Sequence, residues 1–421
     1  MPVPNQMSHS DSHLDVNSLR ANEEILQPRT RNLSSAPRIA FLYNHDATHQ
    51  VAHSASVISA LIEQYPGIDI TLLATSDQLI NAAASICGGA IMQECRVIKL
   101  EVPGWHRPLL RAADSLMPLS RIDYLVHNAQ LLGSFDALLV TERTSLLLKR
   151  MDSCKHLKLL YISHGSGDRS IGFKADMADF DLILLSGQKL RDRFLKLGNI
   201  PDHKIKVVGY PKFDAVRAGS SSSKKLFPEP RPIVLYNPHH EPWLSSWYDM
   251  GYQILDYFLA SKDYNLIFAP HVMMFRRRFH LSLERAAIRF RGDLPKKYTG
   301  APHMLIDTGS PACTDMTYTN AADIYLGDAS SQVYEFLTKP KPCVHINSHG
   351  ARWQGDPNYF FWTFGPVITQ PSELDSALKT AVDDHQKFRG IQEKAIAETF
   401  AAGEKTASVR SALVIGEFLG Y

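Results

Sequence analysis

The sequence predicts an α/β protein of two halves, each a parallel sheet covered by helices on both faces, with a ligand cleft between them. Three observations carry this reading. The chain has 421 residues, 44% of them hydrophobic, which is too long for one ordinary core and comfortable for two. Short, continuous apolar runs alternate with helix-length amphipathic stretches, a pattern of strands buried on both faces. A Ser- and Pro-rich break falls near the middle, and the alternation then begins again.

The first series of runs comprises Arg38 to Tyr43, Asp69 to Ala74, Arg96 to Val102, Ala137 to Thr141, Lys158 to Ser163, Leu182 to Ser186 and Lys204 to Gly209. A helical pattern from about Gln50 to Gln64 follows the first run. Ala218 to Lys225, with Pro228-Glu229-Pro230 after it, reads as a linker. The second series comprises Pro232 to Tyr236, Leu266 to Ala269, Met304 to Asp307, Asp323 to Leu326 and Cys343 to Ile346. From Ser372 onward the pattern is helical, with expected breaks near Gly390 and Gly403. The predicted organisation is therefore a disordered polar leader (1–37), a first α/β domain (38–217), a linker (218–231), a second α/β domain (232–385) and C-terminal helices packing back across the domains (386–421). No repeat of solenoid type is present.

Composition narrows the function. Lys and Arg total 45 against 43 for Asp and Glu, a formal net charge of +2, so bulk nucleic-acid binding has no support. An anionic ligand must be held by a local site. Five scattered cysteines without a CxxC pair fit idle thiols in a reducing cytoplasm better than a disulfide framework or a zinc site. The leader lacks the apolar segment of a secretory signal, and no run of eighteen apolar residues occurs. Peripheral contact with the inner face of a membrane stays open, because Phe275-Arg276-Arg277-Arg278-Phe279 and Trp243, Trp247 and Tyr248 mix aromatic and basic character.

In open α/β sheets ligands sit beyond the carboxyl ends of the strands, and the reactive residue types of this chain fall there. Gly327-Asp328-Ala329-Ser330-Ser331 follows a strand and leads into a helix holding Glu335. Free N–H groups at such a start suit phosphate, and Ser330 and Ser331 add hydroxyls; a plain N-cap at Asp328 or Ser330 explains the segment equally well. His164 follows one strand, His239 and His240 another, and His271 a third. Histidine at these ends can carry protons near neutral pH or hold phosphate oxygens, although a lone one is more often a loop or core residue. Gly209 to Asp214 forms a tight turn in which Lys212 could reach an anion or serve structure alone. His45, Asp46 and His49 follow the first strand, where an acceptor would approach or a polar loop would simply lead into a helix. No HExxH, GxGxxG or Walker pattern occurs, so no metal and no cofactor is expected.

Taken in order, these segments resemble the CDP-glycerol glycerophosphotransferase family of bacterial wall and capsule synthesis. His164-Gly165 is similar to its His-Gly motif, Gly209 to Asp214 to its GYPRxD turn, and Asp328-Ala329-Ser330-Ser331 to its acidic-Tyr-Ser-Ser motif, with Ala329 in place of Tyr. Pro270-His271 reverses the usual His-Pro order, and Asp315 matches an acidic residue before the preceding helix. More distantly, Pro238 to Glu241 and Asp328 to Glu335 resemble segments of the UDP-N-acetylglucosamine 2-epimerases, without their arginine pair or paired glycines.

The resemblance implies the GT-B architecture, two Rossmann-like domains facing a central cleft, and transfer of a glycerol-phosphate-like or glycosyl group. The expected partners are a nucleotide-activated donor, CDP- or UDP-linked, and a glycan or lipid-linked acceptor. It implies His164 as general base and His271 as a donor to the leaving nucleotide. Gly209, Lys212, His239, His240, Asp328, Ser330, Ser331 and Glu335 become candidates for holding the donor, and His45, Asp46 and His49 for the acceptor side. A UDP-sugar transferase or epimerase, and a non-catalytic nucleotide- or glycan-binding protein, are the alternatives.

Overall fold

The structure, a computed structural model, describes residues 36–45, 48–104, 119–168, 174–196, 199–219, 225–282 and 287–421. Asp46 and nearly all of the leader lie outside the described residues. The first sheet contains β1 (Arg38–Tyr43), β2 (Asp69–Ala74), β3 (Arg96–Lys99), β4 (Ala137–Val140), β5 (Lys158–Ile162), β6 (Leu182–Leu185) and β7 (Ile205–Val207). They run parallel in the order β3-β2-β1-β4-β5-β6-β7. The reason is legible in β1. Ile39, Phe41 and Tyr43 enter one core beneath the helix Ala55–Gln64, while Ala40 and Leu42 enter the core on the opposite face. Side chains of a strand alternate between faces, so a run buried on both faces must be apolar at every position. Each large aliphatic or aromatic chain so buried contributes about 1.5–3 kcal/mol.

The second half repeats the plan with β8 (Ile233–Asn237), β9 (Asn265–Phe268), β12 (Met304–Ile306), β13 (Ile324–Gly327), β14 (Cys343–Ile346) and β15 (Val367–Ile368). The parallel order is β12-β9-β8-β13-β14-β15. Val234, Tyr236, Leu326 and Val344 fill one face, Leu235, Ile267 and Tyr325 the other. Between β9 and β12 an antiparallel hairpin, β10 (Phe279–Ser282) with β11 (Ala287–Phe290), stands apart from the sheet. All five cysteines are buried free thiols. No helix among the described residues is long and apolar enough to cross a membrane.

The connection between the halves is packed where it is described. Phe227 is buried against the second core, and Asn265 Nδ2 donates to the carbonyls of Glu229 and Arg231 at 3.0 and 3.2 Å, so the segment after residue 225 is packed. In the C-terminal part the break expected near Gly403 is present and the one expected near Gly390 is not. Gly390 lies inside an unbroken helix, His385–Thr399, exposed and in open space. A single exposed glycine costs a helix about 1 kcal/mol, too little to break one anchored by buried Gln392, Ala395 and Thr399. The break comes at residues 400–406, after which the helix Ala407–Leu419 returns to the first half. There Ala412 and Ile415 join the core under the helix Ala55–Gln64.

Two buried links hold the halves together. Lys212 Nζ, at the start of the helix Pro211–Gly219, donates to Glu335 Oε1 at 2.6 Å, and both residues are buried. Tyr334 donates to Asp168 Oδ2, whose other oxygen accepts from Lys189 Nζ at 2.9 Å. Removing one member of such a pair would strand a buried charge, at a cost of about 3–5 kcal/mol.

Candidate active site

Sheet order selects the place. In the first sheet the strand order reverses between β1 and β4, and in the second between β8 and β13. Ligands of open parallel sheets bind at the carboxyl ends beside such reversals. Asn44 and His45 follow β1, Thr141 follows β4, and His164 follows β5 one residue on. Across from them, Pro238, His239 and His240 follow β8, Ala269 to His271 follow β9, and Asp328 follows β13. The structure therefore brings the sequence-predicted histidines of both halves to one cleft. His49 and His271, from opposite halves, lie within electrostatic reach of each other and of Arg276.

The second wall is built on Asp328. Its carboxylate is almost wholly buried and accepts four hydrogen bonds: from His239 N–H (2.8 Å), Ala329 N–H (2.6 Å), Ser246 N–H (2.6 Å) and Ser246 Oγ (2.9 Å). Burial raises its pKa, and these bonds oppose the rise. No lone pair is left for a ligand, so the expected donor-binding role is corrected to a positioning one. Asp328 clamps both ends of the loop that presents His239 and His240. The two rings lie 4.5 Å apart between centroids and pack, tilted, against His271 at 5.3 and 4.3 Å.

Backbone N–H groups decide the tautomers of this cluster. Glu241 N–H donates to His239 Nδ1 at 3.1 Å, and Met273 N–H donates to His271 Nδ1 at 3.2 Å. An Nδ1 that accepts leaves the proton of a neutral ring on Nε2. Burial, with His49 and Arg276 nearby, holds the His271 pKa down at about 3, so this ring is neutral at physiological pH and offers an Nε2–H. Ligand atoms of His239, His240 and His271 lie within 4.8 Å of one another, close enough to gather around an ion. Metal-bound histidines, however, donate from their second nitrogen, whereas here that nitrogen accepts in two of the three rings. The donor set suits an anion.

The first wall has the opposite polarity. His164 Nδ1 lies 2.8 Å from the Thr141 carbonyl, which can only accept, so Nδ1 carries the proton and Nε2 is left to take one. The loop holding His164 is fixed at several points. Ser163 Oγ donates to Gly165 O at 2.6 Å, Ser166 Oγ meets Ser186 Oγ at 3.1 Å, and Lys189 Nζ donates to Ser166 O at 3.1 Å. His49 and His53 occupy one 3-10 turn, Thr48–His53. Burial drives both pKa values down, that of His49 to about 3. His53 packs edge-on against Tyr210 and His164, at 5.2 and 6.4 Å between centroids. The sequence reading missed His53; its position four residues after His49 on a helical path was the available signal.

Several expected donor-binding residues serve the scaffold. Gly209 has φ +91°, and a Cβ there would lie 2.1 Å from Arg410 Nη2. That arginine spans the return of the C-terminal chain by donating to the carbonyls of Val208 and Ala401. Lys212 is committed to Glu335. Glu335 Oε1 also accepts from Tyr210 OH at 3.0 Å, while Oε2 is buried without a partner. Ser330 is buried, and its Oγ accepts from Gln332 N–H at 3.3 Å in the turn before the helix. Ser331 is exposed and packs close to Gly167 of the first half, where an added Cβ would lie 3.1 Å from the Ser331 Cβ. The helix that follows, Gln332–Phe336, is one turn long, so phosphate affinity at this end would rest on the histidines more than on a helix dipole.

No protein-family model and no curated protein sequence matches the chain. Solved structures do. A UDP-N-acetylglucosamine 2-epimerase described as putative, from Listeria monocytogenes, aligns over 91% of this chain and 97% of its own, with a TM-score of 0.57 and 12% identity. The enzyme from Neisseria meningitidis bound to UDP-GlcNAc covers 92% and 100% at a TM-score of 0.55 and 11% identity. The wall teichoic acid polymerase TagF covers 91% and 88% at 0.55 and 14%. At these identities the likeness speaks for the fold: the chain has the GT-B architecture, two Rossmann-like domains about a central cleft.

Proposed function

We propose that this chain is a GT-B transferase. It moves a glycerol-phosphate-like or glycosyl group from a nucleotide-activated donor, CDP-linked in the first instance, to a hydroxyl of a polymeric or lipid-linked acceptor. One observation carries the proposal: the two cleft walls hold histidines in opposite tautomers, an Nε2 acceptor at His164 and Nε2–H donors at His239 and His271. Group transfer from a nucleotide needs both. The acceptor oxygen bonds to the donor's phosphorus or anomeric carbon, its proton passes to His164 Nε2, and the bond to the nucleotide breaks. The departing nucleotide's growing negative charge is met by the imidazole N–H groups. Fixed dipoles in a water-poor cleft are the most effective form of such stabilisation, and general base catalysis adds about 10²–10⁴-fold.

The neighbours support a nucleotide ligand without choosing its base, since TagF has been soaked with CDPG and the Neisseria epimerase binds UDP-GlcNAc. Thermal unfolding against CDP-glycerol, CMP, CDP, UDP and UDP-N-acetylglucosamine tests the reading. A ligand at a hundred times its dissociation constant adds about 2.7 kcal/mol. The expected result is stabilisation by cytidine ligands, weakened in His271→Ala and retained in His164→Ala. Turnover in His164→Ala should fall about 10²–10⁴-fold. Unchanged turnover would remove the base assignment. A response to uridine ligands alone would point to a sugar transferase or an epimerase, and C2-epimerised product would identify the latter. Silence across the panel would leave a non-catalytic binding protein.

A further inference from the structure

We propose that the β10–β11 hairpin is a lipid-docking element that seats the mouth of the cleft on an anionic membrane surface. Its amphipathic pattern is inverted relative to the protein beneath it. The register pairs Phe279 with Phe290 and Leu281 with Ile288, and these four point outward with exposures of 63, 54, 38 and 69%. The described side chains at the alternate positions, His280, Ser282 and Arg289, are polar and lie toward the protein. His280 Nε2 lies 2.9 Å from the Met274 carbonyl, Ser282 is buried, and Arg289 pairs with Asp249 while lying 5.4 Å over the Tyr248 ring. A slip of one residue would reverse the faces, yet the chain holds the apolar face in water, with the Phe279 and Phe290 rings packed at 5.2 Å. Contiguous exposed apolar surface of this kind marks an interaction site.

The charge beside that face selects the occupant. Among the described residues of 276–297, seven are Arg or Lys and one, Asp293, is acidic; Asp249 and Asp256 pair with Arg289 and Lys297. Arg276, Arg277 and Arg278 are exposed at the hairpin's base. Two copies meeting face to face would bring these arginines together, and like charges across an interface are repelled. An anionic bilayer instead takes both features, apolar side chains into the headgroup boundary and arginines onto phosphates. The hairpin is anchored to the second half: Trp247 Nε1 donates to Arg291 O at 2.7 Å, and the Arg291 guanidinium lies 4.2 Å from the Phe275 ring centre. Arg276 lies within electrostatic reach of His49 and His271, so the element borders the cleft.

The experiment is co-sedimentation of the full chain with vesicles of phosphatidylcholine alone and of phosphatidylcholine with an equal part of phosphatidylglycerol. It needs no substrate, and its outcome is separate from the proposed reaction. Binding is expected only to the phosphatidylglycerol vesicles. It should weaken about fivefold in each of Arg277→Gln and Arg278→Gln and be lost in Phe279→Ser/Phe290→Ser. That double variant should keep the wild-type thermal unfolding profile, because the replaced rings are exposed. Absence of vesicle binding by the full chain, or binding untouched by the hairpin variants, overturns the proposal. A concentration-dependent dimer abolished by Phe279→Ser/Phe290→Ser, without vesicle binding, overturns it in favour of a second copy as the occupant.

Discussion

The first strands of the two halves enter the cleft with the same three residues, Leu42-Tyr43-Asn44 and Leu235-Tyr236-Asn237, and then part. In each, the tyrosine hydroxyl meets a serine from the segment beyond, Tyr43 with Ser54 and Tyr236 with Ser246, both at 2.9 Å. The strand beside each, across the reversal of order, ends differently: β4 leads to Thr141 and β13 to Asp328. Asp328 ties Ser246 and His239 into one buried network. Thr141 offers its carbonyl to His164 and a single long side-chain contact to Gln50, at 3.5 Å. The same lead thus yields one wall clamped through a buried carboxylate that presents N–H donors, and another anchored through its own loop bonds that presents an accepting imidazole nitrogen. Under the proposed reaction, preorganised donors on the clamped wall would suit a charged leaving group held in one place.

Three experiments would break or sharpen this contrast. Asp328→Asn puts an amide N–H where Ser246 N–H also points, so it should cost about 3 kcal/mol of unfolding free energy; Thr141→Val should cost under about 1 kcal/mol. Urea unfolding of the pair measures the asymmetry directly, and equal losses would erase it. Acidification acts on both walls. His49, His53 and His271 have folded pKa values below the unfolded value of about 6.5, so the unfolded chain binds protons first as pH falls. Their contribution is fully present above about 6.5 and drains away as pH falls, toward about 3 for His49 and His271, with a loss of up to about 2 kcal/mol for each of the three by about pH 5. Thermal midpoints across that range should fall, and His53→Gln should flatten the slope. The smallest effect compares the serines. Ser246→Ala removes hydrogen bonds to both Tyr236 and Asp328 and should cost about 2 kcal/mol, against about 1 kcal/mol for Ser54→Ala.

Much of the fold is legible because strands buried on both faces are apolar at every position, as in Ile39 to Tyr43 or Ile233 to Tyr236. The β10–β11 hairpin escaped the same test because its apolar residues face outward and its polar ones inward. Gly390 suggested a helix break that docking of the surrounding helix overrides. Within the site, the histidines were legible from their places after strands. The duties of Gly209, Lys212 and Asp328 were not, since their partners Arg410, Glu335 and Ser246 lie 82 to 201 residues away in the chain.

The sequence by itself determined the two parallel sheets, the break between them and the residues that end their strands, because local periodicity and composition encode burial directly. Only the tertiary structure decided what those residues do. Sheet order brought His164 and His271 to one cleft, and backbone N–H and carbonyl groups set which ring nitrogen of each carries the proton. A tautomer is chosen by the atom the other nitrogen meets, and that atom is placed by packing across the whole fold.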